Sequence, residues 1–320
     1  MSEVTEEGHC PPVLEEKPQD MTTTAVSTIR HNLKKVADKV YAEYINASSV
    51  TRASKPPRLV AVSKTKPKEM IFEAYDAGHR HFGENYVQEL AEKSNDPELL
   101  RRCPDIQWHF IGNCQIKNVN KLAKCPKLTV IETITSEKLA DKLQTQFAKK
   151  PKDQSIVNVM VQVNTSGEEN KNGVEPGSDT LTIVQHIKQK CPNLKLIGLM
   201  TIGALGHSIA STIQQEEGAN PDFLTLIECR QQVADLLQMQ ENSLELSMGM
   251  SNDFAEAIKM GSTNVRIGSS IFGSRNYPNK PAEDERPETK DSDKTVEKVG
   301  PGTLDLKSTT EGISEITIGT

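Results

Sequence analysis

The stretch Leu59-Val60-Ala61-Val62-Ser63-Lys64-Thr65-Lys66-Pro67 decides the fold. Its first five residues are uncharged and mostly apolar, the pattern of a strand covered on both faces. The run ends on a lysine and a short Pro-bounded turn. Helical periodicity then begins over Lys68–Ala77. A covered strand followed within a few residues by a helix is the βα unit of a parallel sheet. A doubly wound sheet, the competing architecture, normally carries a Gly-rich dinucleotide turn at this point. Lys64-Thr65-Lys66-Pro67 contains no glycine.

Outward from this unit the alternation repeats. Strand-like runs follow at His81–Glu84, Gln107–Gly112, Thr129–Thr133, Ile156–Asn164, Leu196–Thr201, Leu244–Met248 and Asn264–Ile267. Helical patterns at Ser136–Ala148, Thr180–Lys190, Asp222–Gln238 and Asp253–Met260 lie between them, and an amphipathic helix around 23–48 precedes them all. Eight strands with intervening helices predict an α/β fold, a single (β/α)8 TIM barrel with an N-terminal helix.

The 320 residues carry 38 Lys+Arg against 44 Asp+Glu, a net charge of −6. Residues 1–22 hold six acids and one base, and 281–320 hold ten acids and five bases. Residues 23–280 therefore carry −6 + 5 + 5 = +4. The acidic ends are poor in large apolar groups and are expected to be disordered. The expected domains are thus 1–22 disordered, 23–280 barrel, and 281–320 a disordered acidic tail. A mild positive charge without basic blocks argues against nucleic acid and fits a small anionic ligand. No apolar run approaches a membrane span, and the N-terminus lacks a signal-peptide core. Six cysteines without CxxC spacing read as reduced thiols of a cytoplasmic protein, a mitochondrial pool being left open. No close His/Cys/Asp cluster suggests a metal.

Functional groups of a barrel gather at the carboxyl ends of its strands. Lys64 ends the first run, where partial burial would lower its pKa and make a neutral amine able to attack an aldehyde. The alternative is a solvated lysine opening a helix. Ser247-Met-Gly-Met-Ser251 and Arg266-Ile-Gly-Ser-Ser270 follow the last two strands, where this fold commonly holds a phosphate. Each taken alone could be a tight turn. Arg266 fits either a structural ion pair or a bond to a ligand heteroatom. His109 reads as a core histidine, and Tyr86 as a mouth or rim residue. Paired carboxylates for glycoside chemistry and a nucleophile elbow are both missing from the strand ends.

With these residues in place, the chain resembles the pyridoxal phosphate homeostasis protein family over about 58–280. The motifs are Leu59 to Pro67, Phe82-Gly-Glu-Asn-Tyr-Val-Gln-Glu89, Trp108-His-Phe-Ile-Gly112, Val163-Asn-Thr-Ser-Gly-Glu168 with Lys171 and Gly173, Gly198-Leu-Met200, Ser247 to Ser251, and Val265-Arg-Ile-Gly-Ser269 with Ile271-Phe-Gly273. The resemblance implies a barrel related to the N-terminal domain of alanine racemases. It implies that Lys64 carries pyridoxal 5′-phosphate (PLP) as a covalent aldimine. Ser247, Gly268 and Ser269 would hold the phosphate, Arg266 would approach the pyridine nitrogen, and Asn85, Asn164 and Met200 would line the pocket. After Gly112 the family pattern is close to Leu-Gln-x-Asn-Lys, whereas this chain reads Cys114-Gln-Ile-Lys-Asn118, so no role is carried to Lys117 or Asn118. The stretch 206–220 is long and polar for a βα loop.

Two functions share Lys64. One is a non-catalytic carrier that maintains intracellular PLP, with apo PLP-dependent enzymes as partners, as a monomer or weak dimer. The other is a PLP-dependent racemase or decarboxylase. Against the second, the chain shows no second β domain after the barrel. A guanidinium is a poor proton donor to the pyridine nitrogen. Tyr86 is the sole candidate for a second acid–base group. A cofactor-free Schiff-base aldolase would leave the phosphate loops without a purpose.

Overall fold

The computed structural model describes residues 21–168, 171–204 and 219–274. Of the expected disordered ends, 1–20 and 281–320 lie outside the described residues, as does most of the loop 206–220. Met21 and Thr22 belong to the first helix, which starts two residues before the expected boundary.

Eight parallel strands close into a barrel in sequence order, β1 beside both β2 and β8. They are β1 (Arg58–Val62), β2 (His81–Glu84), β3 (Gln107–Phe110), β4 (Leu128–Ile134), β5 (Val157–Gln162), β6 (Leu194–Met200), β7 (Glu245–Ser247) and β8 (Asn264–Ile267). Each expected run overlaps one strand. The described helices are α1 (Met21–Asn46), α2 (Lys68–Asp76), α3 (Val87–Ser94), α4 (Pro97–Arg102), α5 (Val119–Ala123), α6 (Glu137–Phe147), α7 (Ser178–Lys190), α8 (Pro221–Leu237), α9 (Phe254–Lys259) and α10 (Ser269–Phe272).

Local chemistry explains the well-placed boundaries. Ser136 caps α6 by accepting the Leu139 N–H at 3.2 Å. Asp96 caps α4 through the N–H groups of Glu98 and Leu99, with Pro97 in the first turn. Helix α1 buries Ile29, Leu33, Val36 and Val40, one apolar stripe at helical spacing, and packs against α2, α9 and α10. The main core lies between the sheet and its ring of helices. Inside the barrel the filling is mixed. Val130, Met160 and Met200 form a small apolar cluster beside buried His109, Glu132, Ser247, Asn264 and Arg266.

Candidate functional site

A cavity of about 500 Å³ opens at the carboxyl ends of the strands, and Lys64, Asn85, Arg266, Gly268 and Ser269 all line it. Its wall also carries Lys66, Lys171 and Asp253. Among the described lining residues cations outnumber acids, which suits an anionic ligand.

Lys64 lies two residues past the end of β1, and both of its neighbours are clamped. Ser63 Oγ donates to Glu84 Oε1 at 2.7 Å, and Lys93 Nζ donates to the Ser63 carbonyl, Glu84 and Glu89 at 2.6–2.8 Å. On the other side the Thr65 N–H donates to Glu89 Oε1 at 2.7 Å. Thr65 has φ +61°, an unfavourable conformation for a β-branched residue. The Glu84, Glu89 and Lys93 network holds this turn and thereby fixes where Lys64 leaves the barrel. Burial first, opposed by the neighbouring Lys93, pushes the Glu84 carboxyl up to about 7.

Asn85 is seated by Gly112, because a Cβ there would lie 1.8 Å from the Asn85 carbonyl oxygen. Asn85 Oδ1 is buried and has no hydrogen-bond partner. On the other side of β1 the loops after β7 and β8 meet through Ser269 Oγ and Ser251 Oγ, 3.2 Å apart. The Met250 N–H donates to Asp253 Oδ1 and closes the β7 loop. Gly249 has φ +96°, and an added Cβ would strike the Ala257 methyl at 2.6 Å. The Gly249 carbonyl accepts the Arg266 N–H, which ties this loop to β8.

Three expected site residues do not line the cavity. Ser247 is 0% exposed and pairs in register with Asn264, one layer beneath Arg266. It gives its proton to Glu132 Oε2 at 2.6 Å and accepts from Arg266 Nη1 and Asn264 Nδ2. Its hydroxyl therefore positions Arg266, with no proton left over for a phosphate. Met200 is in the apolar cluster inside the barrel. Asn164 braces its own loop through the Glu168 carbonyl at 3.2 Å. Tyr86, at 53% exposure, is a rim residue.

Below the cavity runs an unbroken chain of hydrogen bonds. Arg266, 4% exposed, donates to Ser247 Oγ and to the Thr201 carbonyl, the latter at 2.6 Å. Across the barrel, Glu132 accepts from Ser247, Asn264 and His109 Nδ1, the last at 2.7 Å. His109 Nε2 lies 3.1 Å from His81 Nδ1. One of these two nitrogens carries the proton and the other accepts it, which joins the rings. Burial is the first influence on Glu132 and would raise it, but His109, Arg266 and Ser247 hold it below the ordinary carboxylate range. Glu132 is the counter-charge of Arg266. The pair was partly legible: an acid inside the apolar run Val130-Ile-Glu-Thr-Ile134 needs a buried partner, and a cation inside β8 needs one too.

The alanine racemase N-terminal domain model matches residues 26–276. The human pyridoxal phosphate homeostasis protein is 54% identical over 228 residues, 71% of this chain and 80% of that protein. The Haemophilus influenzae protein of the same name is 39% identical over 249 residues, 78% of this chain and 97% of its own. Among solved structures, PipY of Synechococcus elongatus with PLP bound is 29% identical, with a TM-score of 0.55 over 74% of this chain and all of that one. This chain belongs to the pyridoxal phosphate homeostasis protein family and is built on the alanine racemase N-terminal domain.

Proposed function

We propose that this chain binds PLP in the carboxyl-end cavity, with Lys64 Nζ as the covalent anchor, and maintains the PLP supply without turning over amino acids. The observation that carries the reading is the juxtaposition of Lys64, Arg266 and the Gly268-Ser269 loop around one cationic cavity. The unpartnered Asn85 Oδ1 on the same wall supports the fit, since it offers an acceptor to a ligand hydroxyl. When bound, PLP supplies an aldehyde that condenses with amines and a conjugated ring that absorbs visible light.

The chain's own residues do the rest. The Ser63–Glu84–Lys93 clamp aims Lys64. The Gly268 and Ser269 loop offers backbone N–H groups and a hydroxyl to the phosphate. Arg266, held by Ser247 and the Thr201 carbonyl, would stand beside the ring. A guanidinium keeps its proton at neutral pH, so it would orient the ring nitrogen without protonating it. Racemisation needs acid–base groups on both faces of a substrate. Tyr86, the candidate for the second face, stands on the rim. Incubation of the PLP-loaded protein with L-amino acids in deuterated water, followed by chiral chromatography, tests this. Slow exchange without inversion is expected, together with recovery of activity when the loaded protein is mixed with an apo PLP enzyme. Inversion or decarboxylation at ~1 s⁻¹ or faster, an ordinary enzymatic rate, would overturn the carrier reading.

A further inference from the structure

On the outer ring, three ligand-type side chains from distant parts of the sequence meet between α6 and α7. Asp141 lies on α6, His186 on the last turns of α7, and Cys191 just past its end. One ligand atom from each lies within 4.8 Å of the other two. His186 Nε2 is 2.7 Å from Asp141 Oδ1, and His186 Nδ1 is 3.6 Å from Glu137 Oε2. Glu137 and Asp141 are one turn apart on α6 and share its face toward α7. Sequence spacing hides this cluster, against the expectation of no close His/Cys/Asp group, because the donors are 45 and 5 residues apart and meet only through helix packing.

The geometry points to a mononuclear zinc-type site in which Asp141 Oδ1, His186 Nε2 and Cys191 Sγ are the ligands and Glu137 holds the far side of the His186 ring. One oxygen, one imidazole nitrogen and one thiolate form a donor set suited to borderline-soft Zn²⁺. Zinc bond lengths put tetrahedral ligands roughly 3.3–3.7 Å apart. The cluster needs a movement of about 1 Å at most to reach that spacing. Rotation of the Asp141 side chain, which is 59% exposed, and of the buried Cys191 thiol supplies the movement, since His186 Nε2 and Asp141 Oδ1 are already 2.7 Å apart. The same exposure gives the metal its entry path and leaves a fourth position for water. A carboxylate behind a ligating imidazole is the usual outer partner of such sites, and Glu137 stands there.

The protons balance simply. Cys191 is a buried cysteine and must lose its thiol proton to ligate. Metal binding turns it into a thiolate and releases one proton to solvent. His186 Nε2 faces the Asp141 carboxylate as a donor at 2.7 Å, so its proton must leave that nitrogen before the lone pair can face the metal. The bound ion would tie α6 to α7 independently of the carboxyl-end cavity.

Titration of the full chain with Zn²⁺ alone, followed by calorimetry in two buffers of different ionisation enthalpy, tests the site. One ion per chain and release of at least one proton are expected. Co²⁺ in place of Zn²⁺ should show a near-ultraviolet thiolate charge-transfer band that is lost in Cys191→Ser. Asp141→Asn, a change at an exposed side chain, and His186→Gln should each weaken Zn²⁺ at least 10-fold, and Glu137→Gln on the order of 10-fold. No binding, a charge-transfer band that survives Cys191→Ser, or wild-type affinity in both Asp141→Asn and His186→Gln would overturn the proposal.

Discussion

Replacing Glu132 by glutamine removes the counter-charge of Arg266 while keeping the size of the side chain. Both groups are buried inside the barrel, and every group around the carboxylate is a donor: His109 Nδ1, Ser247 Oγ and Asn264 Nδ2. An amide supplies one oxygen and turns the other position into a donor. It therefore sets N–H against N–H at Asn264 and leaves the guanidinium without its anion. Breaking a buried pair from one side costs about 3–5 kcal/mol, mostly through the charge left behind. Urea denaturation should find Glu132→Gln destabilised by about that amount, and PLP titration should find weaker binding because Arg266 loses its orientation. Arg266→Gln strands the anion instead and should cost a similar amount. The double variant should be clearly less destabilised than the sum of the two, since no net charge is then buried. A Glu132→Gln protein within ~1 kcal/mol of wild type, or strictly additive singles, would refute the view that these two charges sustain each other through Ser247.

Two more outcomes follow from the site. The folded protein holds the Glu84 proton more tightly than an unfolded chain titrating near 4.5, so stability from this group is full below that pH and is lost as pH rises through about 7. The loss is about 3 kcal/mol; Glu84→Gln should flatten the urea-unfolding profile between pH 5 and 8, and identical profiles would contradict the burial argument. Ser269→Ala should weaken PLP by about 1.5–3 kcal/mol, one charge-assisted bond, and leave pyridoxal without phosphate unaffected; equal losses for both ligands would place the phosphate elsewhere.

The barrel was legible because each strand is a short covered run, and the strand-end rule located Lys64, Asn85, Arg266, Gly268 and Ser269. Ser247 was grouped with the loop that follows it, although it is the last residue of β7 and points into the barrel. A hydroxyl inside a strand signals an interior partner, but that partner, Glu132, is 115 residues away and on the opposite wall. Met200 and Asn164 also sit at strand ends, and only the closed geometry tells which such residues face the cavity. The helices α3, α4 and α5 are five to eight residues long and give a weak periodic signal. His109 is indeed a core histidine, though one placed in a polar chain between Glu132 and His81.

The central claim is that Lys64 is the covalent anchor, and borohydride reduction of the PLP-loaded protein followed by peptide mapping tests it most directly. The account predicts one label per chain, on Lys64, and loss of both the label and the visible absorption band in a folded Lys64→Ala protein. Label on Lys66, Lys68 or Lys171, or a band that persists in Lys64→Ala, would contradict it.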